Sequence, residues 1–164
     1  MIDKKIVEIF MKEGIEPVLS VPCNLLAGIL RGIERTPIRH IPVCREEEGI
    51  GIAAGAALAG EKPLLLMQNS GLGNSINALM SLTRLYKLPL FLLMSHRGGS
   101  GEKISAQIPM GAAAPDLLRT LGINFITIKT AHDLQGLQKL IRKTYALQEI
   151  NAAFLARELW NETK

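Results

Sequence analysis

The sequence predicts a doubly wound α/β domain, a mostly parallel sheet of about six strands covered by helices on both faces. Segments with helical spacing of apolar residues alternate with short apolar runs along the whole 164-residue chain. Several runs, such as LLLM at 64–67 and LFLLM at 90–94, are apolar at every position, as in strands buried on both faces. The length suits one domain with a full core, 1–164, and 48% of the residues are hydrophobic.

Lys4–Lys12 places Ile6, Val7, Ile9 and Phe10 at helical spacing, and Gly14 ends that helix. Ile15–Val21 reads as a strand entered through Pro17, and Asn24 as the cap of a helix reaching about Gly32. His40–Val43 reads as a strand and Glu46–Ala59 as a long helix. Pro63–Met67 is the third strand, Asn74–Tyr86 a helix, and Leu88–Met94 a fourth strand with a buried pattern. After the polar loop SHRGGSGEK come a helix at Ala114–Leu121, a strand at Asn124–Ile128, a helix at Ala131–Leu147 and a strand at Ala152–Ala156. No internal repeat or low-complexity tract interrupts the series.

Charge and composition remove several classes of function. The net charge is +4, but the basic residues are scattered and the seven aromatics offer few stacking platforms, so no nucleic acid is expected. A modest positive balance suits a small anionic substrate. The longest apolar run, Leu88–Met94, is far shorter than the ~20 residues of a membrane span, and MIDKKIVEIFMKEG lacks a leader pattern. Cys23 and Cys44 form no CxxC pair and have no histidine cluster nearby. That usage fits a reducing, cytoplasmic location and argues against zinc or a disulfide scaffold.

In open α/β sheets, ligands gather beyond the carboxyl ends of the strands. The polar residues expected there are Pro22-Cys23-Asn24, Cys44-Arg45-Glu46, Gln68-Asn69-Ser70 and Ser95-His96-Arg97. Glu46, Glu47 and Glu48 open a helix that carries Gly49, Gly51 and Gly55. Three glycines cost such a helix roughly 3 kcal/mol of propensity, a cost usually offset by close approach of a backbone or a ligand. The carboxylates also suit the positive end of the helix, and at most one or two of them can face a given site. In QNSGLGNS, Gly71 and Gly73 allow positive φ and close approach. Ile76 stands where a dinucleotide fingerprint needs a third glycine, and no GK[ST] follows, so neither phosphate-binding motif is present. In HRGGSGEK, Arg97 can pair bidentately with an oxyanion, Lys103 adds charge, and His96 can donate a hydrogen bond or move a proton. His40 is expected to be structural, and the two cysteines to be small buried residues or pocket walls.

RHIPVCREEEGIGIAAGAALAG followed by PLLLMQNSGLGNSINAL resembles the pyrimidine-binding domain of thiamine diphosphate enzymes, within the family of sulfopyruvate and phosphonopyruvate decarboxylases. SVPCNLLAGIL and MSHRGGSGEKI extend the resemblance over nearly the whole chain. It implies the three-layer thiamine diphosphate-binding fold. It also implies that one glutamate hydrogen-bonds N1′ of the cofactor's aminopyrimidine, favouring the imino tautomer that takes the C2 proton. Counting nine positions back from Gly55, the place where relatives carry a glycine, gives Glu46; a slipped register gives Glu47. By the same resemblance Asn69, Ser70, Gly71, Gly73 and Asn74 adjoin the cofactor. Asn24, in a loop that similar enzymes use for the substrate pocket, is expected to line that pocket with His96, Arg97 and Lys103. No Gly-Asp pair occurs in the chain, so the Mg²⁺ that holds the diphosphate is expected on a partner beta subunit of an alpha-beta hetero-oligomer. The implied reaction converts 3-sulfopyruvate to sulfoacetaldehyde and carbon dioxide, a step of coenzyme M biosynthesis in methanogenic archaea. Phosphonopyruvate or another anionic 2-oxo acid, or a non-catalytic binding or regulatory subunit of the same fold, are the alternatives.

Overall fold

The computed structural model describes residues 1–160. Six strands, β1 (Val18–Ser20), β2 (His40–Pro42), β3 (Leu64–Gln68), β4 (Leu90–Ser95), β5 (Asn124–Ile128) and β6 (Ile150–Leu155), form one sheet in the order β2-β1-β3-β4-β6-β5. Every pairing between them is parallel. The helices are α1 (Ile2–Glu13), α2 (Ala27–Ile33), α3 (Glu46–Leu58), α4 (Gly71–Ala78), α5 (Ile108–Thr120) and α6 (Leu134–Leu147).

Alternation along each strand divides the apolar residues between two cores. Leu64, Leu66, Phe91 and Leu93 pack with Ile6 and Phe10 of α1, Ile29 and Ile33 of α2, and Leu137 and Ile141 of α6. Leu65, Met67, Leu92 and Met94 point the other way, onto Ile50 and Ala53 of α3, Leu72 of α4, and Ala114 and Leu118 of α5. Burial on both faces is why β3 and β4 carry no polar alternation. Crossovers that step toward β2 run over the α1/α2/α6 face and those that step toward β5 run over the other. The chain therefore winds in a single sense.

Several boundaries differ from the sequence expectation. Asn24 does not cap α2. It begins a 3-10 turn, Asn24–Leu26, and the extended residue before that turn is Cys23, whose thiol makes no capping bond. The helix expected from Asn74 starts at Gly71, and its second half, Leu79–Arg84, widens to a π-helix in which the Thr83 hydroxyl donates to the Leu79 carbonyl at 2.8 Å. Neither Gly71 nor Gly73 has a positive φ. The helix expected from Ala114 starts at Ile108, because Pro109 lies in its first turn and Pro115 is carried inside it. Proline and glycine read as breakers in sequence; here the first turn needs no N–H from Pro109.

His40 is structural, as expected: its Nε2 and the Ser20 hydroxyl are 2.8 Å apart between β2 and β1. Burial lowers its pKa, opposed by the charge of Glu34. An unfolded histidine titrates near ~6.5, so on acidification the unfolded chain takes the proton first. Stability is complete above that pH and falls as pH drops through it. The melting temperature should therefore decline from about pH 7.5 to about pH 5.5, and His40→Gln should remove part of that decline.

Candidate active site at the carboxyl edge of the sheet

β1 leads toward β2 while β3 leads toward β4, so the carboxyl ends of β1 and β3 diverge and leave a crevice between them. Polar side chains converge there from three strands. The Cys23 thiol faces Gln68 Oε1 at 3.8 Å and receives a hydrogen bond from the Ser95 hydroxyl at 3.3 Å. Gln68 Nε2 donates to Ser70 Oγ at 2.5 Å and to Gln107 Oε1 at 2.9 Å, tying β3 to the turn before α5.

The three glutamates at the mouth of α3 are sorted by their partners. Glu48 turns back and accepts the Cys44 N–H at 2.9 Å, satisfying a donor just before the helix. Glu47 accepts from Arg45 Nε at 2.6 Å through one oxygen, and its other oxygen is buried with no donor among the described residues. Glu46 is half-buried and has no hydrogen bond or ion pair among the described residues. It lies across the start of α4, where a Cβ on Gly71 would fall 2.3 Å from its Oε1 and 2.4 Å from its Cδ. The bareness of Gly71 is what leaves room for this carboxylate. Gly49 serves helix-on-sheet packing, since a Cβ there would meet Leu65 at 2.9 Å and Val43 at 3.3 Å. Gly51 and Gly55 meet nothing within 4 Å and stand exposed. Arg39 does not reach these glutamates; it pairs with Glu16 and Glu61.

Asn69, 1% exposed, spends its side chain on the neighbouring strand end. Its Nδ2 donates to the Arg97 carbonyl at 3.1 Å and its Oδ1 accepts the Arg97 N–H at 2.8 Å. It therefore clasps β3 to β4. Arg97 is likewise engaged: its guanidinium forks onto Glu102 at 2.6 and 3.0 Å, and burial of this pair leaves little of either side chain accessible. Arg97 lies near Cys23, though no hydrogen bond joins them among the described residues. His96 turns away from the crevice, stacked on Phe154 with ring centres 4.8 Å apart and its Nε2 3.2 Å from the Gly111 carbonyl. With Thr127, Lys129 and Arg157 it lines a cavity of about 250 Å³ on the β5–β6 side. Lys103 is exposed and forms no ion pair among the described residues, and Asn24 and Asn74 are exposed too. Gly73 is exposed, with Met110 the nearest atom to a Cβ built on it.

Glu102, Gln107 and Ser95 carry contacts that sequence reasoning gave no role. The signal for Glu102 was its place five residues after Arg97 across a glycine-rich turn, a spacing that lets a loop close on itself. A cavity of about 410 Å³ at the opposite edge, lined in part by Arg84, Lys87 and Glu149, lies between helix C-termini and holds none of these residues. Among the described residues no group of three or more His, Cys, Asp or Glu side chains is placed to hold a metal ion, and no helix is long and apolar enough to cross a membrane.

A parallel α/β sheet with a carboxylate uncommitted among the described residues beside its switch-point crevice falls in the doubly wound class, whose ligand sites lie at the strand ends. Residues 2–114 match the family described as "Thiamine pyrophosphate enzyme, N-terminal TPP binding domain", and the chain belongs to that family. It is similar to the sulfopyruvate decarboxylase subunit alpha of Methanococcus maripaludis, 46% identical over 93% of this chain and 92% of the relative. The subunit alpha of Methanothermobacter thermautotrophicus is 53% identical over 70% of each chain. The phosphonopyruvate decarboxylase of Streptomyces viridochromogenes is 33% identical over 92% of this chain, which spans only 40% of that relative. Among solved structures, a split-gene transketolase, an inactive beta4 tetramer, superposes with a TM-score of 0.70 at 18% identity, covering 96% of this chain and 50% of that one. That last likeness concerns the fold alone.

Proposed function

We infer that this chain is the alpha subunit of a cytoplasmic thiamine diphosphate-dependent decarboxylase that converts 3-sulfopyruvate to sulfoacetaldehyde and carbon dioxide, in coenzyme M biosynthesis. One observation carries the reading: Glu46 holds a half-buried carboxylate over Gly71, with no donor among the described residues, beside the switch-point crevice. The site fits the cofactor's aminopyrimidine, which needs at N1′ a carboxyl group that is not already committed and can share a proton with the ring nitrogen. Glu48 and one oxygen of Glu47 are committed, and Glu46 is not. When bound, thiamine diphosphate supplies the electron sink for loss of carbon dioxide. Glu46 would share a proton with N1′, donating to it in the aminopyrimidine form and accepting from it in the imino form, and so would hold the proton balance of the pyrimidine. Gln68, Ser70 and Gln107 stiffen the floor of the crevice, and Asn69 fixes the two strand ends at its rim. The relatives named subunit alpha support a companion subunit, and the higher identity to sulfopyruvate than to phosphonopyruvate decarboxylases supports the sulfonate substrate.

The companion beta subunit would hold the diphosphate and its Mg²⁺, and the exposed face of α3 suits it as a docking surface. Gly51, Ile52, Gly55 and Leu58 follow one another at helical spacing, with Ile52 36% and Leu58 74% exposed. Small residues there let another backbone approach closely. In the isolated chain Gly51→Ala and Gly55→Ala meet open space, so each should stabilise α3 by about 0.5–1 kcal/mol. The same double variant should bind the companion more weakly. Denaturant titration of the chain and co-purification of the pair measure the two effects.

The function is tested by co-expressing this chain with its companion and following 3-sulfopyruvate consumption with thiamine diphosphate and Mg²⁺. Turnover by the pair and by neither chain alone is expected. Full activity of the isolated chain, or a pair inert toward 3-sulfopyruvate, would overturn the reading. Phosphonopyruvate offered in competition decides between the two acids.

A further inference from the structure

The loop from Arg97 to Ile104 is closed by one carboxylate. Glu102 accepts the Arg97 fork at 2.6 and 3.0 Å and also the backbone N–H groups of Gly98 at 3.3 Å, Lys103 at 3.0 Å and Ile104 at 3.0 Å. Arg157 Nη1 lies 3.9 Å away. The two side chains are 13% and 4% exposed, so this is no ordinary surface ion pair. The Arg97 backbone is pinned by Asn69. The loop itself is pressed onto α5: a Cβ on Gly98 would fall 2.2 Å from the Gln107 carbonyl, and one on Gly111 would fall 2.3 Å from the Arg97 carbonyl. The guanidinium thus has one edge fully taken and its position fixed at the strand end where the Ser95 hydroxyl, two residues before it, donates to Cys23.

We propose that Glu102 is a positioning residue for the anionic substrate: by occupying one edge of Arg97 it aims the free N–H groups of the guanidinium at the Cys23 side of the crevice, where the acid group of the 2-oxo acid docks. This deepens the functional reading above and rests on it. A planar guanidinium presents five donors in a rigid fork, so fixing one edge orients the rest. Glu102 also prevents Arg97 from swinging out to solvent, as a lone arginine on a glycine-rich loop would. The Arg97 hydrogen bond, followed by the Ile104 N–H, holds the Glu102 carboxyl far below the usual carboxylate range, so the clasp stays charged at every pH where the enzyme would work.

The test uses the assembled enzyme carrying Glu102→Gln, Arg97→Lys or both. Glu102→Gln should raise KM for 3-sulfopyruvate about tenfold, as loss of one charge-assisted contact does, and leave thiamine diphosphate affinity unchanged and kcat nearly so. Affinity for sulfoacetate, an unreactive anion, should fall by the same factor. Arg97→Lys should have little further effect in the Glu102→Gln background, because the two residues act as one unit. Unchanged KM, additive effects, or a joint fall of kcat, cofactor affinity and melting temperature would overturn the proposal. If the wild-type assembly binds sulfoacetate but decarboxylates no 2-oxo acid, the functional reading fails and the clasp is judged on sulfoacetate affinity alone. An assembly that binds no sulfoacetate overturns it as well.

Discussion

Glu46→Gln is expected to abolish decarboxylation by the assembled pair, lowering kcat about 10²–10⁴-fold, the usual worth of a positioned proton-transfer group. The amide keeps the shape of the side chain but can no longer share a proton with a ring nitrogen. Glu46 makes no hydrogen bond or ion pair among the described residues, so its replacement breaks no internal contact, and the melting temperature of the chain should hardly move. Glu48→Gln weakens only the bond from the Cys44 N–H, and Glu47→Gln weakens an exposed pair with Arg45. Both should retain most of the activity. Steady-state rates of the three variants, each with its melting curve, separate the carboxylates. Full activity of Glu46→Gln would instead favour a binding or regulatory subunit. Loss of activity in Glu47→Gln alone would move the role to the neighbour whose second oxygen is buried without a donor.

Gly71→Ala should lower kcat about a hundredfold, the scale of a 1 Å misplacement at a reacting group, while leaving the fold as stable or slightly more so. The added Cβ would sit 2.3 Å from Glu46 Oε1 and 2.4 Å from its Cδ and Cγ, far inside contact distance. The helix backbone cannot yield easily, whereas a glutamate side chain can rotate, so the carboxylate moves. Alanine is meanwhile the better helix former by up to about 1 kcal/mol. Falling activity with unchanged or rising stability is thus the signature of displacement. A fall in both, or in neither, would show that Glu46 does not depend on the space Gly71 leaves. The measurement is kcat beside the melting temperature, repeated with Gly136→Ala in α6 as a control away from the site, since a Cβ there meets only Ile126 at 3.6 Å among the described residues.

Much of the architecture was legible because the strongest signals are local. LLLM and LFLLM announced doubly buried strands, and β3 and β4 are paired at the centre of the sheet with both faces covered. Strand β5 has the bounds its sequence predicted, and Gly14 ends α1 with φ 68°. The starts of α4 and α5 were illegible for one reason: glycine and proline look like breakers until a neighbour explains them. Gly71 is helical because Glu46 needs the space of its missing side chain, and Gly111 because the backbone of Arg97 and Gly98 comes down on it. Arg97 was legible as a cation and Asn69 as a polar residue at a strand end. Their engagements were not, since Glu102 closes a turn and the Asn69 clasp bridges two strands that meet only in the sheet.

By itself the sequence determined the alternation of strands and helices, the polar edge where their carboxyl ends meet, and a set of three glutamates from which one must serve. The first two follow from periodicity and composition, which each segment carries whatever its neighbours do, and the role of a glutamate is what the family resemblance implies. Only the tertiary structure decided which carboxylate stays uncommitted, which arginine is already matched, and which glycines are bare for the sake of a side chain. Such choices are settled by hydrogen bonds and close contacts between residues far apart in the chain, and no single segment contains both halves of a contact.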